Sequence, residues 1–181
     1  MVLAAGEGRR MGGMKMLVPF HGRPLLQWTV ELVQRLPLDH RVIVLGAASR
    51  QVRSRISLAG WRLAVNRGWR EGIASSLRVA EATAPLGGLL VFLGDMPRVP
   101  EEACLAVISQ ACDVPVAPSY KGQRGFPVYL PPSLRPELSG LRGDEGARSL
   151  LAECRFIPQE DPGVSSDVDR VEDLACEAWK G

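Results

Sequence analysis

The chain has 181 residues, 46% hydrophobic and 23% charged, with 22 basic against 20 acidic side chains for a net charge of +2. That is globular composition suited to one domain over residues 1–181, and a chain this long buries roughly 70% of its unfolded surface without a disulfide or metal staple. The slight basic excess points away from nucleic acid, while Cys104, Cys112, Cys154 and Cys176, none in a Cys-x-x-Cys pair, and the separate His21 and His40 point away from zinc.

The first residues lack the charged and apolar regions of a signal peptide, and no apolar run is long enough to span a bilayer, so a cytoplasmic protein with thiols in a reducing compartment is expected. Val2-Leu3-Ala4-Ala5 reads as a short buried strand followed by a loop from Gly6 to Met14. Leu25, Leu26, Trp28, Leu32 and Val33 recur at helical spacing, which predicts a helix from Pro24, in its first turn, to Arg35. A strand over Arg41 to Leu45, a helix over Ser49 to Leu58, a strand over Trp61 to Val65 and a helix over Ser75 to Ala84 follow, with Leu77 and Ala80 turned inward. Gly87 to Leu93 is the greasiest stretch and the expected central strand. Pro100 to Ala111 predicts a helix and Asp113 to Ala117 a strand, while Pro118 to Pro132, rich in Gly and Pro, suggests a hairpin or insertion. Two further helices are expected over Asp144 to Glu153 and Val171 to Trp179. Strands alternating with helices imply an α/β fold, a three-layer Rossmann-like sandwich with a mostly parallel sheet covered by helices on both faces.

In such sheets ligands gather at the carboxyl ends of the strands. The loop after the first strand carries Gly6, Gly8, Gly12 and Gly13 with Arg10 and Lys15. Glycines let backbone N–H groups approach an anion, and the two cations suit a triphosphate. The loop lacks the Gly-Lys-Ser/Thr end of a P-loop, and Met11 stands where a dinucleotide fingerprint needs its third glycine. Asp95, just after the central strand in Gly94-Asp95-Met96-Pro97, suits a hard cation such as Mg²⁺ shared with substrate phosphates, although an aspartate there also caps turns.

Read together, Leu3-Ala4-Ala5-Gly6-x-Gly8-x-Arg10-Met11-Gly12 with Lys15 resembles the signature of the nucleotidylyltransferases related to molybdenum cofactor biosynthesis. Leu93 to Pro97 looks like that family's metal motif, and Asn66 with Gly72 to Leu77 resembles its nucleotide-side loop. Arg124-Gly125-Phe126-Pro127 resembles a segment usually written R-G-H-P. Gly143 to Arg148 resembles G-D-x-G-A-R, and Asp167 to Leu174 resembles D-I-D-T-P-E-D-L. Ala4-Ala5-Gly6 is similar to the cytidylyl pattern, where the guanylyl branch has two glycines. Phe126 in place of histidine and Arg170-Val171 in place of Thr-Pro depart from it.

The resemblance implies a nucleotide-diphospho-sugar transferase-like fold and transfer of CMP from CTP to the terminal phosphate of molybdopterin, with pyrophosphate released. It implies Mg²⁺ on Asp95 with Asp167 or Asp169 nearby, and Arg10 and Lys15 on the leaving group. Leu3, Ala4, Ala5, Gly6 and Gly8 would meet the nucleotide through the main chain, and Arg124, Asp144 and Arg148 belong to the acceptor side. Asn66 and Ser75 or Ser76 either reach cytosine or ribose or serve as turn residue and helix cap. Arg148 is equally readable as a surface helix charge. An apo-molybdoenzyme or its chaperone is a further expected partner. A guanylyl or sugar-phosphate transferase would carry similar phosphate and metal residues, and a nucleotide-binding accessory protein that never completes transfer is the rival from another class.

Overall fold

The computed structural model describes residues 1–8, 11–143 and 150–175. Val2–Ala4 forms β1, and Pro19–Phe20 (β2) with Arg23–Pro24 (β3) forms a separate two-stranded ladder. Helix Leu25–Arg35 (α1) leads to Val42–Leu45 (β4), Ser49–Arg55 (α2) to Arg62–Val65 (β5), and Ile73–Thr83 (α3) to Leu89–Leu93 (β6). Glu101–Ser109 (α4) precedes Val116–Tyr120 (β7), Gln123–Arg124 (β8) and Val128–Leu130 (β9), and Arg135–Gly140 (α5) and Arg155–Pro158 (β10) complete the order.

The main sheet runs β10-β7-β9-β6-β1-β4-β5, with β8 paired to β7. Strands β1, β4, β5, β6, β7 and β10 point one way, and only β8 and β9 oppose them. Side chains alternate across β1, and each face finds its own helices. Val2 and Ala4 pack with Leu26, Val30 and Val33 of α1, Val52 of α2 and Val107 of α4. Leu3 and Ala5 pack with Ala74, Leu77 and Ala80 of α3 and Leu138 of α5. This is the three-layer, mostly parallel arrangement expected, and Leu77 and Ala80 do face inward, 4% and 0% exposed. None of the described helices is long and apolar enough to cross a membrane.

Several boundaries differ from expectation. Pro24 does not enter the first turn of α1 but ends β3 in extended backbone at φ −54°, ψ 136°. His21 and Gly22, at φ 46° and 78°, form the two-residue turn that pairs Phe20 with Arg23, and the hairpin claims the proline. Helix α2 stops at Arg55 because Ile56, 4% exposed, turns extended into the core. The stretch from Pro118 to Pro132 is a hairpin as read, with Lys121 and Gly122 at positive φ between β7 and β8. Helix α5 and strand β10 were not anticipated. Arg135 of α5, 9% exposed, donates to the carbonyls of Glu81, Ala84 and Pro85, which closes the C-terminal end of α3. Residues 150–153 form turns rather than the end of a helix, and the rest of that expected helix lies outside the described residues. Val171–Ala175 is a 3-10 turn, and residues 176–179 likewise lie outside. Cys104 is buried, Cys112 and Cys154 are partly buried, and Cys176 is not among the described residues.

Candidate active site

From β1 the chain crosses to β4 and β5 on one side, then returns to place β6 on the other, so the β1–β6 seam is the point where the winding reverses. A crevice opens there beyond the carboxyl ends of both strands. Leu3 pairs with Leu93, and the Gly94 N–H donates to the Leu3 carbonyl at 2.9 Å. A β-carbon on Gly94 would stand 3.0 Å from Ala4 Cβ and 2.9 Å from Leu26 Cδ1, so a larger residue there would have to push its neighbours aside where the chain delivers Asp95 beside β1. Beyond β1, the N–H groups of Met11 and Gly13 both donate to the Gly8 carbonyl, at 2.9 and 3.1 Å, and fold the loop back on itself. Gly8, at φ +69°, lies so tightly under Lys15 that an added β-carbon would come within 2.2 Å of Lys15 Cβ.

Lys15 opens a 3-10 turn, Lys15–Leu17, and is only 6% exposed. Its Nζ donates to Asp95 Oδ2 at 2.8 Å and to Asp169 Oδ1 at 2.6 Å. The C-terminal segment reaches the seam because the Val168 N–H donates to the Asp95 carbonyl at 2.9 Å, while the Val168 side chain, fully buried, packs on Phe20 and Leu25. Asp167 and Asp169 thus flank a buried valine and both stand beside Asp95.

Lys15, Asp95 and Asp169 border a cleft of about 420 Å³, and Asp167 stands exposed outside its lining. Leu3, Ala5, Gly6, Gly8, Lys15, Asp95 and Asp169 line it together with Ser76. Ala4 turns its side chain into the opposite layer, where only its backbone is left for a ligand. Asn66, 2% exposed, is held inside: its Nδ2 donates to Ser75 Oγ at 2.8 Å and Ser76 Oγ at 3.0 Å, and its Oδ1 accepts the Gly68 N–H at 2.9 Å. Ser75 Oγ donates in turn to the Gly72 carbonyl at 2.8 Å. Of the three, Ser76 alone borders the cleft, so Asn66 and Ser75 brace the turn that carries it. Arg124, on β8, stands apart beside a small apolar pocket of about 60 Å³ with Phe126 and Leu77, and Ile73 borders both spaces. Arg10, Asp144 and Arg148 lie outside the described residues. Sequence reasoning missed Trp69, which borders the cleft from the turn after β5. The available signal was its place just past a strand's carboxyl end, three residues beyond Asn66.

The family model for the MobA-like NTP transferase domain matches residues 1–160. The chain belongs to this family. A relative named nicotine blue oxidoreductase, from Paenarthrobacter nicotinovorans, is 34% identical over 96% of this chain and 92% of its own. A "Probable molybdenum cofactor guanylyltransferase" from Thermococcus gammatolerans is 30% identical over 60% of this chain and 54% of its own. Among solved structures, Rv0371c of Mycobacterium tuberculosis in complex with manganese superposes with a TM-score of 0.79, at 28% identity, over 95% of this chain and 92% of that one.

For this NTP transferase domain the electrostatics of the seam follow from crowding three carboxylates around one ammonium. Burial disfavours the charge on Lys15, but Asp95 and Asp169 outweigh it and hold the lysine above its usual range. Loss of hydration, then the charge of Asp95, hold the Asp167 carboxyl above the usual range. Hydrogen bonds from the N–H groups of Arg170 and Asp169 hold Asp173 below it. Asp95, Asp167 and Asp169 each offer a carboxylate oxygen, all within 4.8 Å of one another. An all-oxygen anionic donor set of that kind fits a hard divalent cation.

Proposed function

We propose that the domain transfers CMP from CTP to the terminal phosphate of a molybdopterin-type acceptor and releases pyrophosphate. The observation that carries the transfer chemistry is Lys15, hydrogen-bonded to Asp95 and Asp169 at the mouth of a glycine loop in the cleft between β1 and β6. A reaction between two phosphates asks for alignment and charge neutralisation rather than a side-chain nucleophile. Lys15 supplies a fixed ammonium for the triphosphate, with Arg10 as its partner on the same loop. The backbone from Leu3 to Gly8 lies along the nucleotide, Ser76 faces the base or ribose, and Arg124, Asp144 and Arg148 belong to the acceptor. Asp95, Asp167 and Asp169 would hold Mg²⁺, which when bound screens the charge on phosphate oxygens. The manganese complex of the mycobacterial relative supports a divalent cation in this fold. The guanylyltransferase relative supports the molybdenum cofactor link, and Ala4-Ala5-Gly6 supports CTP.

Pyrophosphate release tests this reading. With Mg²⁺ and a molybdopterin acceptor, CTP is expected to exceed GTP and ATP at least tenfold in kcat/KM, a difference of about 1.4 kcal/mol that one or two hydrogen bonds supply. A preference for GTP moves the chain to the guanylyl branch, and activity only with a sugar phosphate replaces the acceptor. A second reading rests on the relative named as an oxidoreductase, which matches 96% of the chain. The glycine loop would then hold a nucleotide cofactor and the acidic cluster would be dispensable. Redox turnover that survives a chelator, without pyrophosphate release, would select it.

A further inference from the structure

Asp167 and Asp169 stand beside Asp95 on a segment without regular structure, held there by the Val168 N–H on the Asp95 carbonyl and, for Asp169, by Lys15. Two contacts outside the cleft add to these. Asp173 Oδ2 accepts the N–H groups of Asp169 and Arg170, both at 2.8 Å. The carbonyl of Asp173 accepts from Arg98 Nη2 at 2.6 Å. Arg98 is only three residues beyond Asp95, and its guanidinium lies over the Phe20 ring at 5.0 Å. Phe20 packs in turn on the buried Val168, between the two aspartates. A closed circuit results: from Asp95 along the chain to Arg98, across to Asp173, back to Asp169, and through Lys15 to Asp95 again.

We infer that Arg98 and Asp173 are positioning residues that set the separation of the Asp169 and Asp95 carboxylates, and through it the cation affinity of the acidic cluster. The inference rests on reading that cluster as a divalent-cation site. Neither residue lines the cleft: Asp173 holds the Asp169 and Arg170 N–H groups, and Arg98 holds Asp173. An acceptor oxygen, rather than a charge, is what the N–H groups of Asp169 and Arg170 require, so asparagine can stand in for Asp173 and alanine cannot. Partners that orient ligating groups are worth 10- to 100-fold in affinity on the order of magnitude.

The test is Mn²⁺ binding to the intact chain without nucleotide, followed by calorimetry or by the free Mn²⁺ electron spin resonance signal. Asp173→Ala and Arg98→Ala are each expected to weaken Mn²⁺ roughly tenfold or more, and Asp173→Asn to recover affinity to within about threefold of wild type. CTP affinity measured without metal should change less than twofold in all three. If both alanine variants bind Mn²⁺ within twofold of a wild type that binds it, the positioning role is overturned and the cation site stands. A loss that Asp173→Asn fails to reverse overturns the hydrogen-bond account. A wild-type chain with no Mn²⁺ binding overturns the cation site, and the inference with it. Should Asp173→Ala not fold, Arg98→Ala against Asp173→Asn carries the same contrast.

Discussion

A carboxylate that loses hydration beside Asp95 ionises less readily, and Asp167 is held above the usual range of about 3.8 for both reasons. The folded chain therefore binds this proton more tightly than the unfolded chain does. Stability from this group is intact below the unfolded pKa and falls as pH rises through the folded one, so the ionised side chain is a burden at neutral pH. Asp167→Asn should accordingly raise the melting temperature of chelator-treated protein at pH 7 and give no advantage at pH 3. Equal melting at pH 7 would show that Lys15 already neutralises the repulsion. Asn66 illustrates a different residue-scale logic. A buried amide with three partners within 3.0 Å is a structural brace first, and its place beside the cleft follows from its hold on Ser76.

The glycine loop permits a controlled comparison at the scale of one element. Gly8 and Gly12 share positive φ, +69° and +71°, but an added β-carbon meets Lys15 Cβ at 2.2 Å in the first case and nothing within 4 Å in the second. Both alanine variants therefore incur left-handed strain of about 1 kcal/mol or more, while only Gly8→Ala must also displace Lys15. Turnover is expected to fall at least tenfold further for Gly8→Ala than for Gly12→Ala at matched melting temperatures, and equal losses would separate Lys15 from the reaction. Elements with a period were legible in the sequence. Helix α1 and strands β4 and β6 carry apolar patterns that survive without tertiary context. The hairpin β2–β3 has two residues per strand, too few for any period, and its signal was the His21-Gly22 turn alone. Helix α5 is held to α3 by the buried Leu138 and by Arg135, which closes the end of α3 through a contact 54 residues away that no local window contains. Lys15 and Asp95 were readable from loop chemistry, Asp167 and Asp169 only through family resemblance, because their approach to Asp95 depends on a backbone bond from Val168.

At the scale of the molecule, β5, β4 and β1 with α3 form one half of the sheet, and β9, β7 and β10 the other, with the cleft at β1–β6 between them. Lys15 belongs to the seam and Arg124 to the far half, on β8. Lys15→Ala should therefore lower turnover on the order of 10²-fold at every acceptor concentration. Arg124→Ala should raise the acceptor KM and leave CTP binding within twofold, and steady-state kinetics with both substrates varied checks the split. The reverse pattern would exchange the two substrate halves. The rims of the sheet carry a separate consequence. Among the described residues, β5 pairs only with β4 and β10 only with β7, each over four residues. On β10 the N–H groups of Arg155 and of Gln159 beyond it turn inward, to the carbonyls of Pro115 and Ser119. By alternation Phe156 and Pro158 face outward, and the proline has no hydrogen to offer. A foreign strand laid along the four residues of β10 would find a single outward backbone donor, at Phe156, with Pro158 at the next outward position, too little to seed a growing fibril.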